Sequence, residues 1–318
     1  MFDVFNGDAD GICALLQLRQ HTPCPEAKCI TGVKRDITLL DRLTDVTDST
    51  ITVLDISLDR NRESLETLLR QNNRIFYADH HFAGVVPRAD HFEPHIDPDP
   101  LTCTSLIIND LLPAPASPWA IVGAFGDNLD TPASRLAHEL GYADKKTAQL
   151  KQLGVLLNYN GYGTRVEDLF FPPDELYQRI YPYKDPLDFS ANSPSLATLL
   201  AGYHQDMHMA QTCKPMHEDN SCRMFIFPES SWARRVIGVY ANTLVREEPA
   251  LAHALATPNN DGSLRISIRA PLENRTGADT VCRQFPGGGG RAAAAGINAL
   301  PAEQLEAFIS VLSRQFST

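Results

Sequence analysis

The sequence predicts an α/β protein: a doubly wound, parallel-sheet domain, then a smaller α/β C-terminal domain, with a cleft between them. Over residues 1–130, short apolar segments alternate with helical periodicity, and this alternation is typical of a parallel sheet covered by helices on both faces. The composition shifts near residues 185–220, and strand and helix patterns resume beyond. We therefore predict a first domain at 1–190, a linker at 191–220 and a second domain at 221–318.

The elements of the first domain follow from local patterns. The segment ITVLDI is apolar and β-branched, as expected for a buried parallel strand. The leucines at 65, 68 and 69 have the i, i+3, i+4 spacing of a helix face. We predict strands at 3–5, 51–56 and 74–78, helices at 11–20, 61–71, 104–112 and 119–125, a loop at 113–118, and over 145–183 a helix followed by irregular, proline-rich chain.

The C-terminal elements are predicted in the same way. A helix at 196–209 falls inside the linker, and a second helix is expected to begin near Arg291, after a run of glycines. The last helix is expected to begin at Pro301, because proline is favoured in a first helical turn. We further predict strands at 223–227 and 264–269 and a helix at 232–246.

Charge and composition limit the partners. The chain has 318 residues, with 28 Lys and Arg against 39 Asp and Glu, a net charge of −11. Proteins that hold long DNA carry a basic stripe, so we expect a small anionic substrate and no long duplex. No apolar run reaches the ~18 residues of a membrane span, and no secretory signal is visible at Met1. We expect no membrane partner and a cytoplasmic location.

Acidic residues follow four predicted apolar segments. Three of these segments are predicted strands, and the carboxyl ends of parallel strands share one edge of a sheet. The residues that follow these strands are therefore expected to lie within reach of one another: Asp8, Asp10, Asp55, His80 and His81. Such a carboxylate cluster needs a compensating cation. Carboxylate and imidazole ligands suit Mn²⁺ or Mg²⁺, with Zn²⁺ as a further option. Two ions ~3.5–4 Å apart would activate a water and clamp a phosphoryl group.

Each motif also has a structural alternative. Asp10 could cap the first helix, and Asp55 could start a turn. The glycines at 287–290 could form a tight turn, and Arg269 could be a surface residue of a strand. The triplet Asp79-His80-His81 is harder to explain as a cap or turn, and the motifs together favour a metal site.

The motifs NGDADG, LDIS, YADHHFAG and GAFGD, in this order, resemble the four motifs of the DHH phosphoesterase superfamily. The form of the fourth motif resembles the RecJ-type exonuclease and nanoRNase branch. That branch carries a C-terminal DHH-associated domain, which residues 267–269 (SIR) and the glycine-rich segment 285–296 resemble. The resemblance covers both ends of the chain and leaves about 140–220 without a matching motif.

The resemblance implies a role for each matching residue. It implies that His81 contacts the substrate phosphate and that Asp79 orients the histidines; these two are the predicted catalytic residues. It implies two ions, Mn²⁺ or alternatively Mg²⁺, held by Asp8, Asp10, Asp55, His80 and Asp127. The predicted substrate-binding residues are His81, Arg269, Gly287, Gly288, Gly289, Gly290 and Arg291. Consecutive glycines let backbone N–H groups approach an anion, which would sit at the N-terminus of the helix near Arg291.

Two residues depart from the family pattern. Asn6 stands where RecJ-like members have Asp, and its neutral oxygen is a weaker metal ligand, so we expect lower metal affinity there. Arg291 stands where the family has His. Arginine grips a phosphate with two donors but does not shuttle protons. We expect the phosphate-anchoring role to be kept and an acid–base role to be absent.

These observations predict a two-metal phosphodiesterase, a hydrolase that cleaves short single-stranded oligonucleotides, and linear dinucleotides in particular, to mononucleotides. One alternative is a phosphatase for small nucleotides such as 3′-phosphoadenosine 5′-phosphate, or for polyphosphate. Another is a nucleotide-binding module without turnover, which Asn6 and Arg291 motivate. Structural roles are favoured for the remaining candidates: His91, His95, His204, His208, Arg234 and Arg235.

Overall fold

The chain divides into two units, Met1–Ala201 and Gly202–Thr318. The structure is a computed structural model that describes residues 1–113 and 116–317. The division falls inside a long helix, Pro194–Thr212, which lies within the segment predicted as the linker. Residues 114 and 115 of the predicted loop 113–118 lie outside the described residues. Across the described ranges, none of the helices is long and apolar enough to cross a membrane.

A five-stranded parallel sheet forms the centre of the first unit, in the order β2-β1-β3-β4-β5. One face of the sheet packs on Leu65, Leu68 and Leu69, the leucines predicted to form a helix face, and on a short 3₁₀ turn, Leu39–Leu43. The strands are β1 (Phe2–Phe5), β2 (Lys28–Ile30), β3 (Thr50–Leu54), β4 (Arg74–Asp79) and β5 (Phe92–Ile96). The predicted parallel α/β fold class is confirmed.

Nine helices are described in the first unit and across its end. They are α1 (Ala9–His21), α2 (Arg62–Arg70), α3 (Thr104–Leu111), α4 (Pro118–Gly126), α5 (Asp130–Glu139), α6 (Asp144–Gly161), α7 (Pro173–Ile180), α8 (Pro186–Asn192) and α9 (Pro194–Thr212). α7 replaces the irregular chain predicted there. Its two prolines precede and begin the helix rather than interrupt it, and its buried residues Leu176, Tyr177 and Ile180 have helical spacing.

Glycines in α4 and α6 allow close helix packing beside the acidic edge. A Cβ atom at Gly126 would clash with the side chain of Ala9 at the start of α1. A Cβ atom at Gly154 would likewise clash with the Val122 carbonyl of α4. The end of α4 therefore approaches the start of α1, and this packing brings Asp127, the residue after α4, towards Asp8.

The second unit contains a six-stranded mixed sheet in the order β10-β11-β9-β8-β7-β6, in which β7 and β8 pair in parallel. Its apolar core is split between the two sheet faces. The strands are β6 (His217–Glu218), β7 (Cys222–Ile226), β8 (Ala252–Pro258), β9 (Leu264–Arg269), β10 (Gly288–Arg291) and β11 (Ala294–Leu300). The helices are α10 (Ser231–Glu247), α11 (Ala278–Cys282) and α12 (Leu305–Phe316). Pro301 begins a short 3₁₀ turn rather than the last helix itself.

The glycine run forms a β-hairpin, so the helix predicted near Arg291 is wrong. β10 and β11 pair antiparallel, with Gly288 opposite Ile297 and Arg291 opposite Ala294. Along β11, Ala295 and Ile297 are buried and Gly296 between them is not, which is the alternation of a strand. Burial of this face in the sheet core overrides the helix propensity of the alanines. The predicted anion site at a helix N-terminus is therefore wrong as well.

Candidate metal centre

The predicted acidic residues meet at the carboxyl edge of the parallel sheet in the first unit. β3 lies between β1 and β4, so the loops that follow these strands are neighbours. The Nε2 atom of His80 lies 3.5 Å from Asp55 Oδ1 and 3.8 Å from Asp127 Oδ2. Candidate ligand atoms of Asp55, His80 and His81 all lie within 4.8 Å of one another. Three motifs that are distant in sequence thus converge on one small region.

The two aspartates at the start of α1 have different partners. Asp8 is the N-cap: its Oδ1 accepts hydrogen bonds from the backbone of Asp10 (3.0 Å) and Gly11 (3.2 Å). Its Oδ2 pairs with Lys34. Asp10 is not the cap; it accepts 2.8 Å hydrogen bonds from the backbone N–H groups of Thr104 and Ser105 at the start of α3. Asp10 therefore fixes α1 against α3.

Asp55 is buried in an uncommon backbone conformation, with φ at 59°. Its side chain accepts a 3.3 Å hydrogen bond from the Thr104 hydroxyl. Burial and the negative charges of Asp10 and Asp8 raise its pKa well above the usual value, against the lowering influence of His80. An uncompensated carboxylate at this position is unfavourable, and a cation would relieve it.

The two histidines after β4 have distinct environments. Burial alone would lower the pKa of His80, but the hydrogen bond with Asp55 and the surrounding carboxylates raise it to about 10. His81 is partly exposed, and its Nδ1 lies 2.7 Å from Oδ1 of the fully buried Asp79. This contact directs the other ring nitrogen of His81 away from Asp79, as in metal and phosphate sites where a carboxylate orients a histidine.

Lys34 is a residue of this centre that sequence reasoning missed. Its ammonium pairs with Asp8, lies 3.7 Å from Asp127 Oδ1 and donates a 3.0 Å hydrogen bond to Asn158 Oδ1. Burial would lower the pKa of Lys34, but Asp8 and its neighbours raise it well above the usual value. Lys34 was missed because the preceding strand, β2, is only three residues long and was not predicted. Lys34 follows β2 and so reaches the same sheet edge.

Asn6, the departure in the first motif, is 5% exposed. Its Nδ2 donates a 3.3 Å hydrogen bond to the Lys34 carbonyl. Its Oδ1 has no hydrogen-bond partner within the described ranges, and the same holds for Asp79 Oδ2. A buried acceptor without a partner is costly, so Asn6 Oδ1 is suited to a cation.

The residues present fit a divalent ion. Asp55, His80 and His81 supply one carboxylate and two imidazoles at close range, a donor set that suits Mn²⁺, Mg²⁺ or Zn²⁺. A second group of possible metal ligands lies in the hairpin of β6 and β7 and consists of His217, Asp219 and Cys222. All three make hydrogen-bond contacts with the Ser313 hydroxyl of α12, and we assign this group a structural role.

The substrate-binding candidates of the second unit lie partly in one row of its sheet. Arg291 pairs with Ala294, and Ala294 pairs with Arg269. Directly paired residues project from the same face, so the two arginines share a face, two strands apart. Arg269 donates hydrogen bonds to Asn242 (2.8 Å) and to the Ser267 hydroxyl (3.1 Å). At Gly287 and Gly289 an added Cβ would meet no atom within 4 Å, so the backbone there is accessible.

The remaining sequence candidates have structural partners or exposed positions. His91 contacts the Leu69 carbonyl, and His95 contacts Glu93. Arg235 forms an ion pair with the buried Asp206. The two histidines of α9, at 204 and 208, are exposed. These contacts agree with the structural roles favoured for them.

Residues 221–318 match the family model of the DHHA1 domain. The predicted resemblance to DHH proteins that carry this domain is therefore confirmed over the matched residues. No curated protein matches the sequence.

Solved structures share the fold over nearly the whole chain. RecJ in complex with Mn²⁺ from Thermus thermophilus is similar over 98% of this chain, with a TM-score of 0.67 and 17% identity. This chain spans only 51% of that RecJ chain. An exonuclease RecJ bound to manganese has a TM-score of 0.62 and 15% identity, and covers 98% of this chain and 89% of its own.

A third similar structure is the pGpG-specific phosphodiesterase PggH from Vibrio cholerae. Its TM-score is 0.57 and its identity 12%, and the likeness covers 99% of this chain and 98% of that chain. At these identities the likeness establishes the fold.

Proposed function

We propose that this protein is a metal-dependent phosphodiesterase that cleaves short single-stranded oligonucleotides, and linear dinucleotides in particular, to mononucleotides. The observation that carries the proposal is the group of Asp55, His80 and His81, whose ligand atoms lie within 4.8 Å of one another at the carboxyl edge of a parallel sheet. Asp127 extends the group, at 3.8 Å from His80. A divalent ion held there would activate water and neutralise charge on a phosphoryl group.

The chain's own residues have separable roles in this proposal. Asp55 and His80, with Asp127, hold the ion. Asp79 positions the imidazole of His81, which contacts a phosphate oxygen. The buried, hydrogen-bonded surroundings of Asp55 keep its carboxylate in one orientation, and such orientation lowers the cost of organising the reacting groups.

The short-substrate part of the proposal has two supports. Arg269 and Arg291 share one face of the second sheet, two strands apart, which is ~10 Å at the usual strand spacing. Arginines whose backbones lie at this spacing can reach one compact anion or two neighbouring phosphates. The net charge of −11 also opposes binding of a long polyanion. We propose that both arginines and the glycines at 287–290 bind the substrate phosphates.

A substrate panel tests the proposal. The full chain would be assayed with Mn²⁺ on labelled dinucleotides, 5-mers, 24-mers, cyclic dinucleotides, 3′-phosphoadenosine 5′-phosphate and pyrophosphate. We expect the highest kcat/KM on linear dinucleotides. Faster cleavage of 24-mers would contradict the short-substrate claim, and dinucleotide binding without turnover would indicate a binding module instead.

A further inference from the structure

Lys34 lies in the part of the metal centre where a second cation is expected. Asp55 lies with the two histidines, and Asp8 pairs with the Lys34 ammonium. Asp127 contacts both groups, because its Oδ1 lies 3.7 Å from Lys34 and its Oδ2 lies 3.8 Å from His80. We infer that this ammonium takes the place of one of the two divalent ions predicted from the motifs, so that the centre holds a single ion. The inference rests on the metal centre of the proposed function and specifies its composition.

The oxygens of the first motif are already engaged. Asp8 Oδ1 accepts two backbone hydrogen bonds as the cap of α1, and its Oδ2 pairs with Lys34. Each carboxylate oxygen of Asp10 accepts a 2.8 Å hydrogen bond from the start of α3. An ion bound to these carboxylates would have to displace Lys34 from Asp8. The least engaged donors are His80 and the carboxylates beside it, Asp55 and Asp127, and together they suffice for one ion.

Lys34 is held in this position from several sides. Its backbone N–H donates a 2.8 Å hydrogen bond to the Gly161 carbonyl, and its ammonium donates to Asn158, both near the end of α6. At Gly161 a Cβ atom would lie 3.1 Å from the Asp8 backbone, so glycine permits the end of α6 to approach the centre this closely. The Lys34 side chain is 25% exposed. These contacts anchor both the backbone and the head group of Lys34.

Asn6 completes the same arrangement. Its Nδ2 donates to the Lys34 carbonyl at 3.3 Å. A carboxylate at this position has no N–H to donate and would add a negative charge beside Asp8. Asn6 and Lys34 therefore act together: the amide stands in place of a charged metal ligand and anchors Lys34, whose ammonium supplies positive charge to Asp8. A permanently bound ammonium would give the centre one exchangeable ion instead of two.

Manganese stoichiometry tests this inference without an activity readout. Metal-free full-length protein would be loaded with Mn²⁺, and bound metal per chain measured by equilibrium dialysis. Electron paramagnetic resonance distinguishes an isolated Mn²⁺ from an exchange-coupled pair. We expect one uncoupled Mn²⁺ per chain. The double variant Asn6→Asp, Lys34→Met restores the carboxylate and removes the ammonium, and we expect it to bind two coupled ions.

Controls keep the outcomes distinct. Lys151→Met removes a lysine that pairs with Asp130 at the surface and should leave one ion per chain. Circular dichroism checks that the double variant is folded. Two coupled ions in the unaltered protein, or a single ion in the folded double variant, would overturn the inference. If the double variant does not fold, the stoichiometry of the unaltered protein still decides. A chain that binds one Mn²⁺ but cleaves no substrate would refute the proposed function alone.

Discussion

The two units treat buried charge in opposite ways. The first unit buries charged aspartates at a sheet edge and stabilises them with backbone N–H groups and a lysine. The second unit has a cross-strand row in which Arg291, Arg269, His253 and Arg223 lie on one face, and the fully buried His253 is neutral near pH 7. The edge of parallel strands collects carboxylates and histidines, whereas the paired residues of the mixed sheet place arginines in one row, two of which we propose to bind the substrate phosphates. Variants in each unit should therefore change different quantities.

The largest effect is expected at the ligands of the first unit. Asp55→Asn and His80→Ala should each lower Mn²⁺ affinity and kcat/KM by more than ~100-fold, because even residues that only support metal ligands contribute about 10–100-fold. Isothermal titration and dinucleotide turnover measure both. Asp130→Asn, a surface carboxylate paired with Lys151, is the matched control and should bind Mn²⁺ normally. Full activity in Asp55→Asn would contradict the assignment of the centre.

The next effect concerns Asp79, which acts through His81. Asp79→Asn keeps the shape of the side chain but removes the charge that holds the Nδ1–H of His81. We expect kcat to fall about 10–100-fold with little change in KM or in bound Mn²⁺. A variant that loses its metal would instead show that Asp79 supports the ligand set as a whole.

A smaller effect is expected in the second unit. Arg291→Gln should raise KM for dinucleotides about tenfold and leave kcat and Mn²⁺ binding unchanged. Arg291 is exposed, so the lost hydrogen bond to a charged group is expected at the lower end of the usual range, about 1.5 kcal/mol, and it is lost equally from ground and transition states. Arg283→Gln, which removes an exposed arginine paired with Asp279, is the control. An unchanged KM in Arg291→Gln would remove Arg291 from the substrate site.

The smallest effect is on stability and comes from His253. Burial lowers its pKa to about 4, against the raising influence of a hydrogen bond with the Glu248 backbone. Below the unfolded pKa of ~6.5 the unfolded chain takes up a proton that the folded chain does not, so stability falls as the pH falls towards 4. From pH 6.5 to 5.5 the loss is about 1 kcal/mol.

His253→Gln tests this dependence because glutamine does not titrate. Urea unfolding of the second unit, followed at pH 6.5 and 5.5, should show a smaller change for the variant than for the unaltered protein. His204→Gln, which replaces an exposed histidine of α9, should keep the full pH dependence. Equal changes in all three proteins would place the pH dependence elsewhere.

Sequence patterns predicted the parts of the fold that depend on local periodicity. The strands at 3–5, 51–56 and 74–78 lie within two residues of β1, β3 and β4. The edge rule for parallel strands then placed Asp55 and His80 close together, and the structure has them 3.5 Å apart. The prediction of a helix in the alanine-rich segment after Arg291 is wrong. Helix propensity is a small local free energy, whereas pairing with β9 buries a whole face of β11.

Lys34 shows a second kind of limit. A lysine after a three-residue strand carries no pattern of its own. Its role depends on Asn6, which follows β1, on Asp8, which caps α1, and on Asn158 of α6. Contacts of this kind are set by packing between elements, which one sequence does not display.

The sequence by itself determined the parallel sheet, the acidic motifs at its edge and the cation that these carboxylates require. These features follow from strand periodicity and from the repulsion of like charges, both of which are properties of residue type and order. Only the tertiary structure decided which oxygens are free to bind that cation. Asp8 and Asp10 look equivalent in the sequence, yet one caps α1 and pairs with Lys34 while the other ties α1 to α3, because hydrogen-bond partners distant in sequence are selected by packing.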